Sequence, residues 1–509
     1  MFDTDAMLLG LQALFQLHML GFLFAGFLVG FAVGAVPGFN DANLMAILLP
    51  FTLLLDPTVA IVAMAALYAG AQAAGSVPAI LMNIPGTPGT AASTLEGYQL
   101  ARAGKPGYAL GISLAASTIG AFLGALLALL LAPVLGLFAL RFGPAEMFLV
   151  AVLGLTVVSS LSGADLLKGL FIAAFGVLVS LIGADSMTGF ARATFGVIEL
   201  YDGLPLIPVL LGLFGFSELL LLLGRSAIAD SHPSGALGLR PILEGFKVGL
   251  AQRITLLRSS VLGFVVGVIP GAGATIGSFL AYGQARQWSR TPERFGTGHP
   301  DGLAATDSAN NATAAGAMVP MLTLGLPGSA STLVMLAALV LHGVRPGPQF
   351  FANFQVEAYT ILFSLFLASA LIGGLGIFLA VLAQRVVFVP TALLVPIVAV
   401  LVFVGAYAWR FTAFDILLMV VFGLIGVLLR ACRYPIAAFM LAIILGPMLE
   451  ANYLRATRIG GTDAFFQGPI AQTLIALIVL SLLAPILMTA RRRLRSAGSS
   501  TAAGTRGRG

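Results

Sequence analysis

Phe31-Ala32-Val33-Gly34-Ala35-Val36-Pro37-Gly38 closes one apolar run of the chain, and Phe264-Val265-Val266-Gly267-Val268-Ile269-Pro270-Gly271 closes another, identical to it at five of eight positions. Each is followed by a second interruption. These are Pro78-Ala79-Ile80-Leu81-Met82-Asn83-Ile84-Pro85-Gly86-Thr87 and Pro320-Met321-Leu322-Thr323-Leu324-Gly325-Leu326-Pro327-Gly328-Ser329, with the two prolines seven apart in both. Order, spacing and residue type all recur, so internal duplication is the simplest account. Proline removes an amide donor and glycine tolerates irregular backbone angles, so each Pro-Gly frees backbone groups inside an apolar run. The reading is of broken membrane helices.

Composition agrees. Of 509 residues 59% are hydrophobic and 9% charged, with a mean hydropathy of +1.03, more apolar surface than a water-soluble domain can bury. A span takes roughly 20 apolar residues, and the runs available allow about 11–14 transmembrane helices or half-helices. Stretches such as Leu123 to Leu140 are apolar on nearly every side, which fits helices and not the alternation of a membrane barrel. The expected fold is an all-α polytopic membrane protein with two internal repeats, taken as inverted. The expected division is a first membrane half over 1–224, a polar connector over 225–257, a second half over 258–490 and a basic disordered tail over 491–509.

The net charge of +6 is explained by orientation signals and needs no nucleic acid. Met1 to Ala101 contains no Lys or Arg, so the N-terminus is expected outside; the tail Arg491-Arg492-Arg493-Leu494-Arg495 is expected in the cytoplasm. No basic stretch precedes the first apolar run, so no cleaved signal peptide is expected. The single cysteine, Cys432, excludes an intramolecular disulfide and any cysteine-cluster metal site.

Freed backbone groups at membrane depth survive only where protein, water or a ligand satisfies them. Two breaks at corresponding places in two repeats therefore point to a transporter site, with half-helix N-termini facing anions and unwound carbonyls facing cations. Candidate lining residues cluster at the breaks: Pro37, Gly38, Asn40, Asp41 and Asn43; Asn83, Gly86, Thr87 and Thr90; Gly271, Gly273 and Thr275; Gly328, Ser329, Ser331 and Thr332. Asp307, Asn310 and Asn311 enter the helix of the last break, with Asp307 and Asn311 on one face at i and i+4. Asp41 and Asp307 are read either as helix N-caps and interfacial charges or as cation or proton sites. The amides could equally join helices, and the hydroxyls could bond back to their own helix starts. The motif stretches hold no Lys or Arg, so an anion would rely on helix N-termini, amides, hydroxyls and a co-bound cation. That combination predicts symport. An intramembrane enzyme is disfavoured: four histidines (His18, His232, His299, His342) occur without a His-Glu-x-x-His or Gly-x-Ser-x-Gly motif.

With these residues in view, the chain resembles the large membrane subunit of the tripartite tricarboxylate transporters, from Gly26 to about Pro485. The resemblance rests on Gly34 to Gly38, Ala79 to Thr87, Glu96-Gly97-Tyr98, Arg258-Ser259-Ser260, Gly267 to Thr275, Ala309-Asn310-Asn311-Ala312, Leu324 to Ser329 and Gly343 to Pro348. It implies a multi-pass permease of the bacterial inner membrane. Its partners would be a small four-helix membrane subunit and a periplasmic solute-binding protein, importing di- or tricarboxylates on an ion gradient. No cofactor, nucleotide or resident metal is implied; the coupling cation would be Na+ or H+, with Na+ conceivable at Asp41, Asp307 and Asn310. Matching motif residues are Pro37, Gly38, Asn83, Pro85, Gly86, Pro270, Gly271, Gly273, Asn310, Asn311, Pro327 and Gly328. Two places depart from the family pattern: Phe39-Asn40-Asp41-Ala42-Asn43 stands where a glycine and hydroxyl run is usual, and Asp307 where glutamate is usual. The alternative function is a stand-alone exchanger or channel for a small anion or other solute, working without a binding protein.

Overall fold

A computed structural model describes residues 3–37, 39–161, 166–185, 189–223, 238–386 and 391–483. Among the described residues six helices are long and apolar enough to cross a membrane. A seventh span arises if the pair Leu239–Ala251 and Arg253–Val268, bent by 77°, is one crossing, and seven further apolar helices have 10–17 residues, half-span length. The protein is thus the all-α polytopic membrane protein that composition demands. The described residues contain one sheet, a two-residue antiparallel ladder of Gly183–Ala184 with Ala191–Arg192.

The chain divides into two compact units, one comprising Met1–Arg141 with Val197–Cys432, the other Phe142–Gly196 with Arg433–Gly509. Every candidate site residue lies in the first. Its helices are α1 (Thr4–Leu14), α2 (Leu17–Gly34), α3 (Asp41–Thr52), α4 (Pro57–Ala74), α5 (Ser76–Met82), α6 (Thr94–Arg102) and α7 (Pro106–Ala139). After these come α8 (Leu206–Leu222), interrupted by a π-helical turn at Leu211–Phe216, and then α9 (Leu239–Ala251), α10 (Arg253–Val268) and α11 (Gly273–Trp288). The remainder are α12 (Pro300–Leu324), α13 (Ala330–Leu341), α14 (Gln355–Val386), α15 (Thr391–Ala408) and α16 (Ala413–Ala431). Of the expected connector, 225–237 lie outside the described residues and 239–251 form the amphipathic α9. The expected tail, 491–509, is also outside them.

α12 is the axis of this unit. It is buried from Gly302 to Thr323, packs along α7 and α10, and meets α4 and α11. A helix buried on all sides should be apolar all round, yet this one carries Thr306, Asp307, Ser308, Asn310, Asn311 and Thr313. Polar groups so placed must find partners inside the protein. The second unit packs Pro144–Leu161, Leu166–Ser180 and Ile436–Gly460 together, with Gly176 against Phe439 and Ala442. Arg192 grips Glu450 there with two guanidinium nitrogens.

Candidate functional site

Small residues decide how the helices meet. A side-chain carbon on Gly30 would stand 2.1 Å from the Leu67 carbonyl oxygen, and one on Gly34 would stand 2.6 Å from Ala71, so α2 and α4 touch backbone to backbone. The same contacts recur between α10 and α12: a side-chain carbon on Gly263 would stand 2.3 Å from the Ala309 carbonyl oxygen and one on Gly267 2.4 Å from that of Thr313. A side-chain carbon on Gly86 would stand 2.5 Å from the Gly34 carbonyl oxygen, and one on Gly328 2.8 Å from that of Gly267. In each case the second interruption is pressed onto the end of the helix that runs into the first.

The second interruptions are built alike. α5 ends on Asn83 at φ 62°, and α12 ends on Gly325 at φ 71°. The Ile84 N–H then returns to the Pro78 carbonyl (3.4 Å) and the Leu326 N–H to that of Pro320 (3.1 Å), the closing bond of a left-handed helix cap. After each Pro-Gly a hydroxyl residue starts the next helical turn. The Thr87 N–H donates to Thr90 Oγ1 (3.3 Å), and the Ser329 N–H to Thr332 Oγ1 (2.9 Å). At the first interruptions Gly271 and Gly273 take φ of 74° and 68° before α11, while Asn40 caps α3 by accepting the Asn43 N–H at 2.9 Å. Pro37 is buried beside them; Gly38 lies outside the described residues.

Two polar clusters form where these ends cross. In the first, Asp41 at the start of α3 accepts from Gln72 Nε2 on α4 (2.9 Å) and from Ser331 Oγ on α13 (2.6 Å), both at Oδ2. Gln72 Oε1 in turn accepts from Thr87 Oγ1 (3.1 Å), and the Tyr68 hydroxyl meets Ser329 Oγ at 3.1 Å. In the second, Asp307 on α12 accepts from Ser76 Oγ on α5 (2.9 Å) and, over a shorter distance, from Ser93 Oγ; the Ser113 hydroxyl of α7 faces the same carboxylate. Asn310 Nδ2 reaches the Gln72 carbonyl (3.3 Å), so the backbone and side chain of one residue, Gln72, join the two clusters. Asn311 donates to the Asp307 carbonyl (3.0 Å) and lines a cavity of about 20 Å³ with Tyr68, Ala65 and Ala314, room for one water. Thr275 on α11 donates to the Pro88 carbonyl (2.9 Å), and Gly89 lies so close to Asn310 that a side-chain carbon there would be 1.8 Å from its Oδ1.

The predicted residues therefore separate. Asp41, Thr87, Thr90, Ser329, Ser331 and Thr332 gather on one side, Asp307 and Asn310 on the other, with Thr275 at the rim. Asn83 is exposed and serves as a helix terminator. Asn43 turns from Asp41, giving its Nδ2 to Glu218 of α8 at 3.0 Å, a carboxylate also held by Arg430 of α16. Gln72, Tyr68, Ser76 and Glu218 were not singled out. Gln72 alone left a trace, as a lone amide in the run from Pro57 to Met82.

Charge is distributed unevenly. The buried carboxylates of the described residues are Asp41, Glu96, Glu218, Asp307 and Asp415. Glu218 is paired with Arg430 and Asp415 with Arg410. Glu96 on α6 collects the Tyr282 hydroxyl (2.8 Å) and the N–H groups of Gly296, Gly298 (2.7 Å) and His299 (2.7 Å), fastening α6 to the loop that begins α12. The donors that reach Asp41 and Asp307 from other elements are neutral side chains.

The chain is 33% identical over 471 residues to an "Uncharacterized 52.8 kDa protein in TAR-I ttuC' 3'region" of Agrobacterium vitis, covering 91% of this chain and 93% of the relative. It is 32% identical over 234 residues to an "Uncharacterized protein in TAR-II ttuC' 3'region" of the same organism, covering 45% of this chain and 96% of that one. No solved structure matches. Residues 20–441 match the family described as "Tripartite tricarboxylate transporter TctA family", and the chain belongs to that family.

Proposed function

We propose that the chain is the large membrane subunit of a secondary active importer. It takes an organic carboxylate of the di- or tricarboxylate kind from a periplasmic solute-binding protein, works beside a small four-helix membrane subunit in the bacterial inner membrane, and is driven by an ion gradient. Membership of a tripartite transporter family supports the partners and the transport role. The observation that carries the mechanism is the pair of buried carboxylates, Asp41 and Asp307, without a cationic partner among the described residues. Each lies where interrupted helices from distant parts of the chain meet. A buried uncompensated carboxylate is costly in a membrane protein, and its usual use is a site for a transported charge.

The recurring contacts support a duplicated architecture, with α2 to the turn after Gly86 as one copy and α10 to α13 as the other, inverted in the membrane. Each copy's first arm docks on the other's second interruption, α3 on α13 through Asp41 and Ser331, and α11 on the turn Pro88–Ala91 through Thr275. Movement of these arms against the α7 and α14 scaffold would expose the site to each side in turn.

The test is uptake by the full complex in proteoliposomes, with binding protein, across a panel of radiolabelled carboxylates and with Na+ and H+ gradients imposed separately. Accumulation that needs both the binding protein and a gradient is expected. Accumulation without the binding protein would favour a stand-alone exchanger, and gradient-independent equilibration a channel.

A further inference from the structure

The two composite sites have the same frame and different chemistry. In the first, Asp41 at the tip of α3 meets Ser331, two residues beyond the start of the second interruption's helical turn at Ser329. In the second, the corresponding tip residue is Ala274 and the corresponding turn residue is Gly89. A side-chain carbon on Gly89 would stand 2.6 Å from Ala274 Cβ, so these two are also in contact. One site therefore carries a carboxylate held by a hydroxyl where the other carries two of the smallest residues and an Asn310 Oδ1 without a partner.

From this we infer that Asp41 is the proton-carrying group of the transporter, an inference that rests on the reading of gradient-driven uptake. Its place fits: Asp41 bridges three elements, α3, α4 and α13, whereas Asp307, on the body of α12, is enclosed by Ser76 of α5, Ser93 just before α6 and Ser113 of α7. A carboxyl at the junction of two arms changes its surroundings when they part; one packed within a bundle does not.

The chemistry of the neighbours favours a proton over a metal ion. Gln72 turns its Nε2 to the carboxylate and its Oε1 to Thr87, and Ser331 donates its hydroxyl, so the groups around Oδ2 are donors that stabilise a carboxylate but leave few oxygens to coordinate a metal. The titratable groups on elements packed against α3 are Tyr68 of α4, bonded to Ser329, Glu218 of α8, held by Arg430, and the exposed His18 of α2 and Tyr407 of α15; α2, α13 and α15 carry no Lys or Arg. In the outward-facing state an O–H bond forms on the Asp41 carboxyl with a proton from periplasmic water. In the inward-facing state that bond breaks and the proton leaves to cytoplasmic water.

The experiment compares the wild type, Asp41→Asn and Asp307→Asn in the complete complex in proteoliposomes, using radiolabelled succinate and citrate. Asp41→Asn is expected to lose accumulation driven by a pH gradient at least tenfold. Infrared difference spectra between acidic and alkaline buffer, which need no cargo, are expected to lose a protonated-carboxyl band in Asp41→Asn and to keep it in Asp307→Asn. Wild-type accumulation by Asp41→Asn, or an unchanged infrared band in that variant, would each overturn the assignment. A wild type that accumulates neither label while showing the Asp41 band would instead count against the uptake reading and leave the carboxyl assigned.

Discussion

Glu96 offers the sharpest test of how the site is held. Its carboxylate gathers four donors, three of them backbone N–H groups of the loop Gly296 to His299, and Ser93, which reaches Asp307, lies one turn before it. A hydrogen bond to a charged acceptor is worth about 1.5–3 kcal/mol, and a donor stranded by removal of its acceptor costs about 1–3 kcal/mol. Glu96→Gln keeps one carbonyl oxygen, able to serve about two of the donors, and turns an NH2 toward the rest. The expected loss of stability is about 2–4 kcal/mol. Glu96→Ala removes every acceptor, but the loop is only part-buried and admits water, so its cost is expected to saturate near about 3–5 kcal/mol.

Unfolding of purified protein in mixed micelles, followed by circular dichroism against added denaturing detergent, measures both. Glu244→Gln is the control, since its pairing with Arg240 is an exposed i,i+4 contact that should cost under about 0.5 kcal/mol. Should Glu96→Gln and Glu244→Gln prove equally mild, the loop is held by other contacts and the clamp reasoning is wrong.

Other outcomes follow from the same geometry. Asp307→Ala and Asn310→Ala should abolish uptake in proteoliposomes while leaving membrane insertion intact, and normal gradient-driven uptake by both would remove these residues from the site. Gly30→Leu and Gly263→Leu should each cost more than the usual overpacking penalty of about 1–3 kcal/mol, because the new side chain meets backbone and not a movable side chain. Similar losses of folded protein from membranes are expected for the pair, and a tolerated member would break the proposed equivalence. Ser329→Ala should cost about 0.5–2 kcal/mol as a lost helix cap and should also leave the Tyr68 hydroxyl without its partner, to be read from thermal unfolding beside Tyr68→Phe.

The interruptions were legible in the sequence because they are local. Proline and glycine act on their own backbone, and the hydroxyl that starts each following turn stands at fixed spacing from them. What stayed hidden was every partner that comes from far along the chain. Ser76 and Ser93 are separated from Asp307 by more than 200 residues, and Ser331 from Asp41 by 290, and no local pattern reports such pairings. Arg430 shows the same limit: the final third offered no polar cluster by itself, and its arginine matters because α16 lies beside α8, where Glu218 waits. Asn83 is a different kind of miss. Its amide suggested a binding role, but its counterpart at the other interruption is Gly325, and the property Asn and Gly share is tolerance of the left-handed backbone. Comparing the copies position by position would have identified it as a terminator.

That comparison separates what packing requires from what chemistry requires. Besides the hydroxyl turns at Thr87 and Ser329, the contacts that recur in both halves are those of glycine against carbonyl, Gly30 and Gly263, Gly34 and Gly267, Gly86 and Gly328, and they fix how closely helices approach. The contacts that differ are polar: Asp41 with Ser331 against Ala274 with Gly89, and Gln72 against Ala314. A frame shared by two sites cannot by itself tell cargo from coupling ion, since a strictly symmetric pair would bind the same thing twice. Directional, coupled transport needs the symmetry broken at the lining while the backbone keeps it. In this chain the break carries charge at two lining positions, at Asp41, which stands opposite Ala274, and at Asp307, which stands opposite Ala65.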